Sequence, residues 1–169
     1  MRKRFEQQNS LDATPIAEVK LDGKSRDALP KILAALQYIF ITPELNKAVF
    51  KILEEKICKD KQQTGRLGMS LWEILVLGTV RLCMEMDYDR LRDEANDHRS
   101  LRGILGVQTR RVFGEDKIYP LQTVKDNVRL LDEQTLDKIN EVVVKAGHQL
   151  KKKKRRRRGG FGDKITFKF

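Results

Sequence analysis

The stretch from Ser70 to Met86 leaves the rest of the chain little freedom. Read as a helix it is apolar on nearly every side, and only Glu73, Arg81 and Glu85 form a polar stripe. A helix apolar all round has to be enclosed by others, so this one is expected at the centre of a helical bundle. Ser70-Leu71-Trp72-Glu73 has capping-box spacing, with the Ser70 hydroxyl accepting from the Glu73 amide and the Glu73 carboxylate reaching back. Trp72 is expected as a core anchor at the end of this helix, and Cys83, among Val80, Leu82 and Met84, as a small core residue. The run Leu71–Leu82 is interrupted by Glu73 and Arg81 and falls short of the ~18–20 apolar residues that span a bilayer.

Helical spacing recurs on both sides of this segment. Leu29, Ile32, Leu33, Leu36, Ile39 and Phe40 make one stripe, and Leu45, Val49, Ile52, Leu53 and Ile57 make the next. Thr42-Pro43 separates the two, as an N-cap followed by a proline whose missing N–H costs nothing in the first turn. Lys59 to Gly68 reads as a polar loop. Asp87 is placed to cap a helix from Tyr88 to about Asp97, and Ser100 to cap a short one, Leu101–Leu105, which Gly106 would end in the left-handed conformation. After a loop containing Gly114 and Pro120, Thr123–Leu131 is helical by spacing. Asp132 then caps a last helix with Leu136, Ile139, Val143, Ala146 and Leu150 aligned. The expected fold is all-α, a bundle of about six or seven helices. Three segments are expected: a poorly ordered 1–27, with only Ala17–Leu21 hinting at an extended piece, a helical domain over 28–150, and a disordered basic tail over 151–169.

The charge is distributed very unevenly. The chain of 169 residues carries a formal +11, yet its first 150 residues hold 25 Lys/Arg against 23 Asp/Glu, a net of +2. Residues 151–169 hold 10 basic side chains against one acidic, a net of +9, and eight of these are consecutive from Lys151 to Arg158. Such a block is a solvated disordered run, a phosphate-binding arm that gains from counterion release, or the mark of a slip on a purine-rich template near Lys154, where a helix continuing as Lys then Glu would become Lys then Arg. The basic N-terminus lacks the apolar centre of a signal peptide, so a cytoplasmic location is expected.

Catalytic constellations are not evident. Two scattered His (His98, His148) and two distant Cys (Cys58, Cys83) form no zinc spacing, and a disulfide is not expected in a reducing compartment. The acidic group Asp87, Asp89, Asp93, Glu94 and Asp97 is interleaved with Arg90, Arg92 and Arg99, which points to pairing along the helix rather than to a metal. No metal or cofactor is expected. The stronger pattern is a helix-turn-helix-like unit over Asp87–Gly106, followed by a helix presenting base-reading types beside a backbone-binding one. The candidate DNA contacts are Arg99, Arg102, Lys125 and Arg129, with Gln122 and Asn127 as base readers. The same segments also read as bundle helices with solvated faces.

Four blocks in order make the pattern more specific: Leu71-Trp72-Glu73-Ile74-Leu75, Met86 to Glu94, Ser100 to Val107, and Pro120 to Leu131. Together they resemble the N-terminal domain of insertion-sequence transposases, in particular the set left outside the named groups, over roughly Leu29 to Leu150. Ile104, where that family often has an aromatic, and Leu121, where it often has Asp or Ser, depart from the pattern. The resemblance implies a domain that recognises the terminal inverted repeats of a mobile element as double-stranded DNA. A second copy or an intact transposase would be a further partner. It also implies that strand cleavage belongs to a separate RNase H-like domain whose three carboxylates hold two metal ions. No residue here matches those carboxylates, so no catalytic residue is carried over and the chain is expected to be a non-cutting portion, truncated ahead of that domain. Two rivals stay open: a helical interaction module without specific DNA binding, and a nonspecific nucleic-acid binder acting through the basic tail.

Overall fold

The computed structural model describes residues 2–5, 14–58, 68–107 and 117–157, with 147–157 described as backbone. Among these residues there are seven α-helices, one 3-10 turn (Ile16–Glu18) and no strand, as the apolar spacing predicts. The helices are α1 (Ala28–Ile41), α2 (Pro43–Ile57), α3 (Leu71–Cys83), α4 (Tyr88–Asp97), α5 (Arg99–Ile104), α6 (Leu121–Val128) and α7 (Glu133–Arg157).

The all-round apolar helix is α3, and it sits at the centre. Every residue from Leu71 to Gly78 is buried, with α1, α2, α4 and α6 packed around it. The capping box forms, with the Glu73 amide donating to the Ser70 hydroxyl and the Ser70 amide to Glu73 Oε2. Trp72 is fully buried and its Nε1–H donates to the Ile104 carbonyl at 2.8 Å, tying α3 to α5. Gly78 is where the chain after α6 comes closest: a Cβ there would lie 2.5 Å from Leu131 Cδ2. The helix closes with the Met86 amide donating to the Arg81 carbonyl around Glu85, whose φ of 51° is left-handed.

Other boundaries differ from expectation. Cys83, expected in the core, is exposed at the end of α3. The cap of α5 is His98 rather than Ser100: its Nδ1 accepts from the Leu101 amide at 3.2 Å, because α4 and α5 meet at that single residue. Gly106 does end α5 with φ 70°, and the Val107 amide returns to the Arg102 carbonyl. The segment expected as Thr123–Leu131 is helical over Leu121–Val128. Asp132 caps α7 as expected, accepting from the Thr135 amide at 2.9 Å, and also pairs with Lys56 at 2.7 Å. That pair and the Thr135 hydrogen bonds hold the Asp132 carboxyl well below its usual range.

Within the N-terminal segment, residues 2–5 and 14–27 are described and parts of them pack on the bundle. Ile16 is fully buried against α1, and Gln37 Nε2 donates to the Ile16 and Val19 carbonyls at 2.8 and 3.0 Å. Residues 2–5 form a strap across the bundle. The Lys3 and Arg4 carbonyls accept from the Leu71 and Trp72 amides, each at 3.0 Å, filling donors that a helix start leaves unpaired. Arg4 forks onto Glu54, at 2.5 and 3.0 Å, with its guanidinium 6.0 Å from the Phe50 ring. Phe5 meets Phe40 and Trp72 edge-on at 5.5 and 6.3 Å and lies where a Cβ on Gly106 would fall. Residues 1, 6–13, 59–67, 108–116 and 158–169 lie outside the described residues, and with them most of the segment expected as a polar loop and the end of the basic tail.

Candidate nucleic-acid interface

The candidate contacts lie on α5 and α6, and a buried polar network sets how these helices are held. Residues 117–120 run into α6 and are held from three sides. Asn96 of α4 pairs with the Tyr119 backbone, accepting from its amide at 2.8 Å and donating to its carbonyl at 3.1 Å. Arg102 of α5 donates to the Lys117 carbonyl at 3.2 Å and to the Ala95 carbonyl at 3.4 Å. Glu73 of α3 accepts from the Tyr119 hydroxyl at 2.8 Å and from the Lys117 ammonium. Burial alone would raise the Glu73 pKa, but Lys117, Tyr119 and Ser70 outweigh it and leave it lowered. Burial, and then the Glu73 charge, push the Tyr119 phenol well above its ordinary value. Among the described residues no buried side-chain atom of this network lacks a hydrogen-bond partner, so the network fixes the helices against one another.

The six candidates separate accordingly. Arg102 is 3% exposed, and its guanidinium faces backbone carbonyls inside the bundle. Asn127 is 6% exposed, donating to the Thr123 carbonyl at 2.6 Å and accepting from Arg2, which also donates to the Met69 carbonyl at 3.0 Å. Neither presents a polar group to a duplex, so both move from the contact set to the interior. Gln122 and Arg129 are on the surface and share Asp126: Gln122 donates to Oδ2 at 3.0 Å and Arg129 lies 3.4 Å from Oδ1. Arg99 is exposed and Lys125 half-buried, and neither has a partner among the described residues. The structure thus leaves Arg99, Lys125, Gln122 and Arg129 on the outside of α5 and α6. Consecutive helices do exist at α4 and α5, but α5 has six residues, of which Leu101, Arg102 and Ile104 are buried.

Sequence reasoning missed Arg2, Asn96, Lys117 and Tyr119 as a set. The one signal was Glu73: a carboxylate on an otherwise apolar central helix demands partners from elsewhere in the chain.

The strongest charge lies on α7. This helix starts beside the end of α2, through Lys56–Asp132, and runs back along it. Thr135 and Ile139 are buried, and Val143 is partly buried against the core. With 25 residues against 15 in α2, it is about 15 Å longer at the helical rise of ~1.5 Å per residue. The surplus carries Lys151 to Arg157 as helical backbone. Among the described residues no helix is long and apolar enough to cross a membrane. No family model, curated protein or solved structure matches this chain.

Proposed function

We propose that this chain is a DNA-binding helical domain of the insertion-sequence transposase type, engaging the terminal inverted repeats of a mobile element. The observation that supports it best is the segregation of charge. A bundle close to neutrality, +2 over 150 residues, continues through α7 into a run of Lys and Arg. Such a run supplies sequence-independent attraction to phosphates. Preference for one site then falls to the surface of α5 and α6, where Arg99 and Lys125 have no partner among the described residues and Gln122 and Arg129 can exchange Asp126 for a base edge or phosphate.

The test is fluorescence anisotropy on inverted-repeat and scrambled duplexes. The double variant Arg99→Ala/Lys125→Ala is expected to lower the preference for the repeat by about fivefold or more, within the range of lost base or phosphate contacts. An unchanged ratio of affinities rejects this face. A second reading, a helical interaction module, draws on Tyr38 and Ile41, exposed at 37% and 51% on the outer side of α1. Sedimentation together with DNA titration separates the two readings, since a module of that kind self-associates and shows no preference for the repeat over the scrambled duplex.

A further inference from the structure

The basic end of α7 differs from an ordinary charged tail in being the continuation of a helix whose other end is fixed. Capping by Asp132, the Lys56 pair and burial of Thr135 and Ile139 set the direction of its axis. Past Leu150 the three- and four-residue apolar spacing stops, and all seven residues from Lys151 to Arg157 are basic. Successive residues turn by about 100°, so seven of them go round the helix almost twice. The backbone is helical over a stretch in which the sequence leaves no position without a basic residue.

We propose that Lys151–Arg157 seats as a helix in the major groove of B-form DNA, aimed by its continuity with the bundle. The choice of DNA rests on the reading under Proposed function; the groove rests on the shape and charge of this helical stretch. A cationic helix suits a site with phosphates on both walls, and the B-form major groove, about 12 Å wide, admits a helix. The deep, narrow major groove of double-stranded RNA does not. An interfacial membrane helix needs an apolar face opposite its basic one, and residues 151–157 include no apolar side chain. Cations suit the negative end of the helix dipole, but like charges four apart repel. The helical form of this stretch is therefore stabilised when phosphates neutralise it, and binding raises helicity.

Gly147 and His148 lie just before the basic run, and they allow the stiffness of the helix to be changed without touching its Lys and Arg. The experiment uses the full chain with a 20-bp duplex, read by anisotropy and far-UV circular dichroism. Gly147→Ala, a better helix former, is expected to tighten binding about two- to fivefold. His148→Pro, which interrupts the helix, is expected to weaken it about tenfold and to abolish the gain in helicity on adding DNA. The thermal midpoint of each variant checks that the bundle is intact. Double-stranded RNA of the same sequence and anionic phosphatidylserine vesicles are expected to bind more weakly than DNA. If both variants bind DNA as the parent does, the arm acts as a flexible polycation and the groove inference is overturned while DNA binding stands. RNA or vesicles binding as tightly as DNA overturns it too. If the parent binds no duplex at all, the DNA reading itself falls, and the inference with it.

Discussion

The two most basic stretches of the chain, Arg2-Lys3-Arg4 and Lys151–Arg157, do opposite work. In the first, Arg2 is held by the Met69 carbonyl and Asn127, and Arg4 by Glu54, while the backbone between them caps α3 and Phe5 enters an aromatic cluster. The second carries seven basic residues with no acid or apolar residue among them. The lesson is that a basic run becomes part of the fold when it brings acceptor geometry and an apolar anchor with it. Phe5 supplies that anchor at one end, whereas residues 151–157 include no apolar side chain of their own; on the reading proposed above, their charge serves a phosphate backbone.

Two changes should separate these roles by the largest margin. Replacing Lys151 to Arg158 by Gln removes up to about eight phosphate contacts and should lower duplex affinity by about 10³-fold or more at low salt. The slope of log affinity against log salt should flatten as well, with the unfolding midpoint unchanged. Phe5→Ala should do the reverse. It empties a position between Phe40, Trp72 and Gly106 and should cost about 2–4 kcal/mol in urea unfolding, with the salt slope unmoved. A fall in stability on neutralising the C-terminal run would break the comparison.

The same contrast operates within α5 on a smaller scale. Arg102 faces the interior and Arg99 faces solvent, three positions apart. Arg102→Ala leaves the Lys117 and Ala95 carbonyls short of donors and should cost about 2–3 kcal/mol. Arg99→Ala should change stability by less than about 0.5 kcal/mol while weakening DNA binding. Equal stabilities for the two variants would mean that Arg102 is not holding the segment before α6.

Much of the bundle was legible because it is written in local pattern. The α3 capping box, Pro43 at the start of α2, Asp87 before α4 and the left-handed Gly106 are each set by a few neighbouring residues. The strap was not legible, because Lys3 and Arg4 bind α3 through backbone carbonyls that no side-chain pattern encodes. Asn127 looked like a base reader because its partner, Arg2, is 125 positions away. Arg102 reads as a DNA contact because the carbonyls it serves, Ala95 and Lys117, are set by packing that the local pattern does not show. In a six-residue helix with α1 against it and residues 117–120 across it, very little surface is left. Arg99 and Lys125 were legible as surface cations, since nothing distant is needed to explain them.

Glu73 sharpens the comparison between consumed and unconsumed charge, since it is the acid that fixes Lys117. Its pKa in the folded protein is lowered from an ordinary 4.5. Its contribution to stability is thus fully present above that ordinary value and is lost as pH falls through the folded one. Glu73→Gln should cost about 1–3 kcal/mol at pH 7. Urea unfolding of both proteins should show the gap closing as the pH is taken below about 4. A gap independent of pH would mean that packing of the side chain, rather than its charge, is what the substitution removes.

The smallest expected effect lies in the turn between α3 and α4. Glu85 adopts φ 51°, a left-handed conformation that L side chains occupy at a cost and glycine does not. Its own backbone sits between the Met86 amide and the Arg81 carbonyl that close α3, and its exposed side chain has no partner among the described residues. Glu85→Gly relieves the strain but gives the unfolded chain more freedom, and the two terms partly cancel. The expected net is a gain of about 0.5 kcal/mol, read as a slight rise in the urea midpoint with an unchanged slope. DNA affinity should rise only marginally, through the loss of one negative charge remote from the basic arm. A loss of stability would show instead that the added freedom of the unfolded chain outweighs the strain relieved at φ 51°.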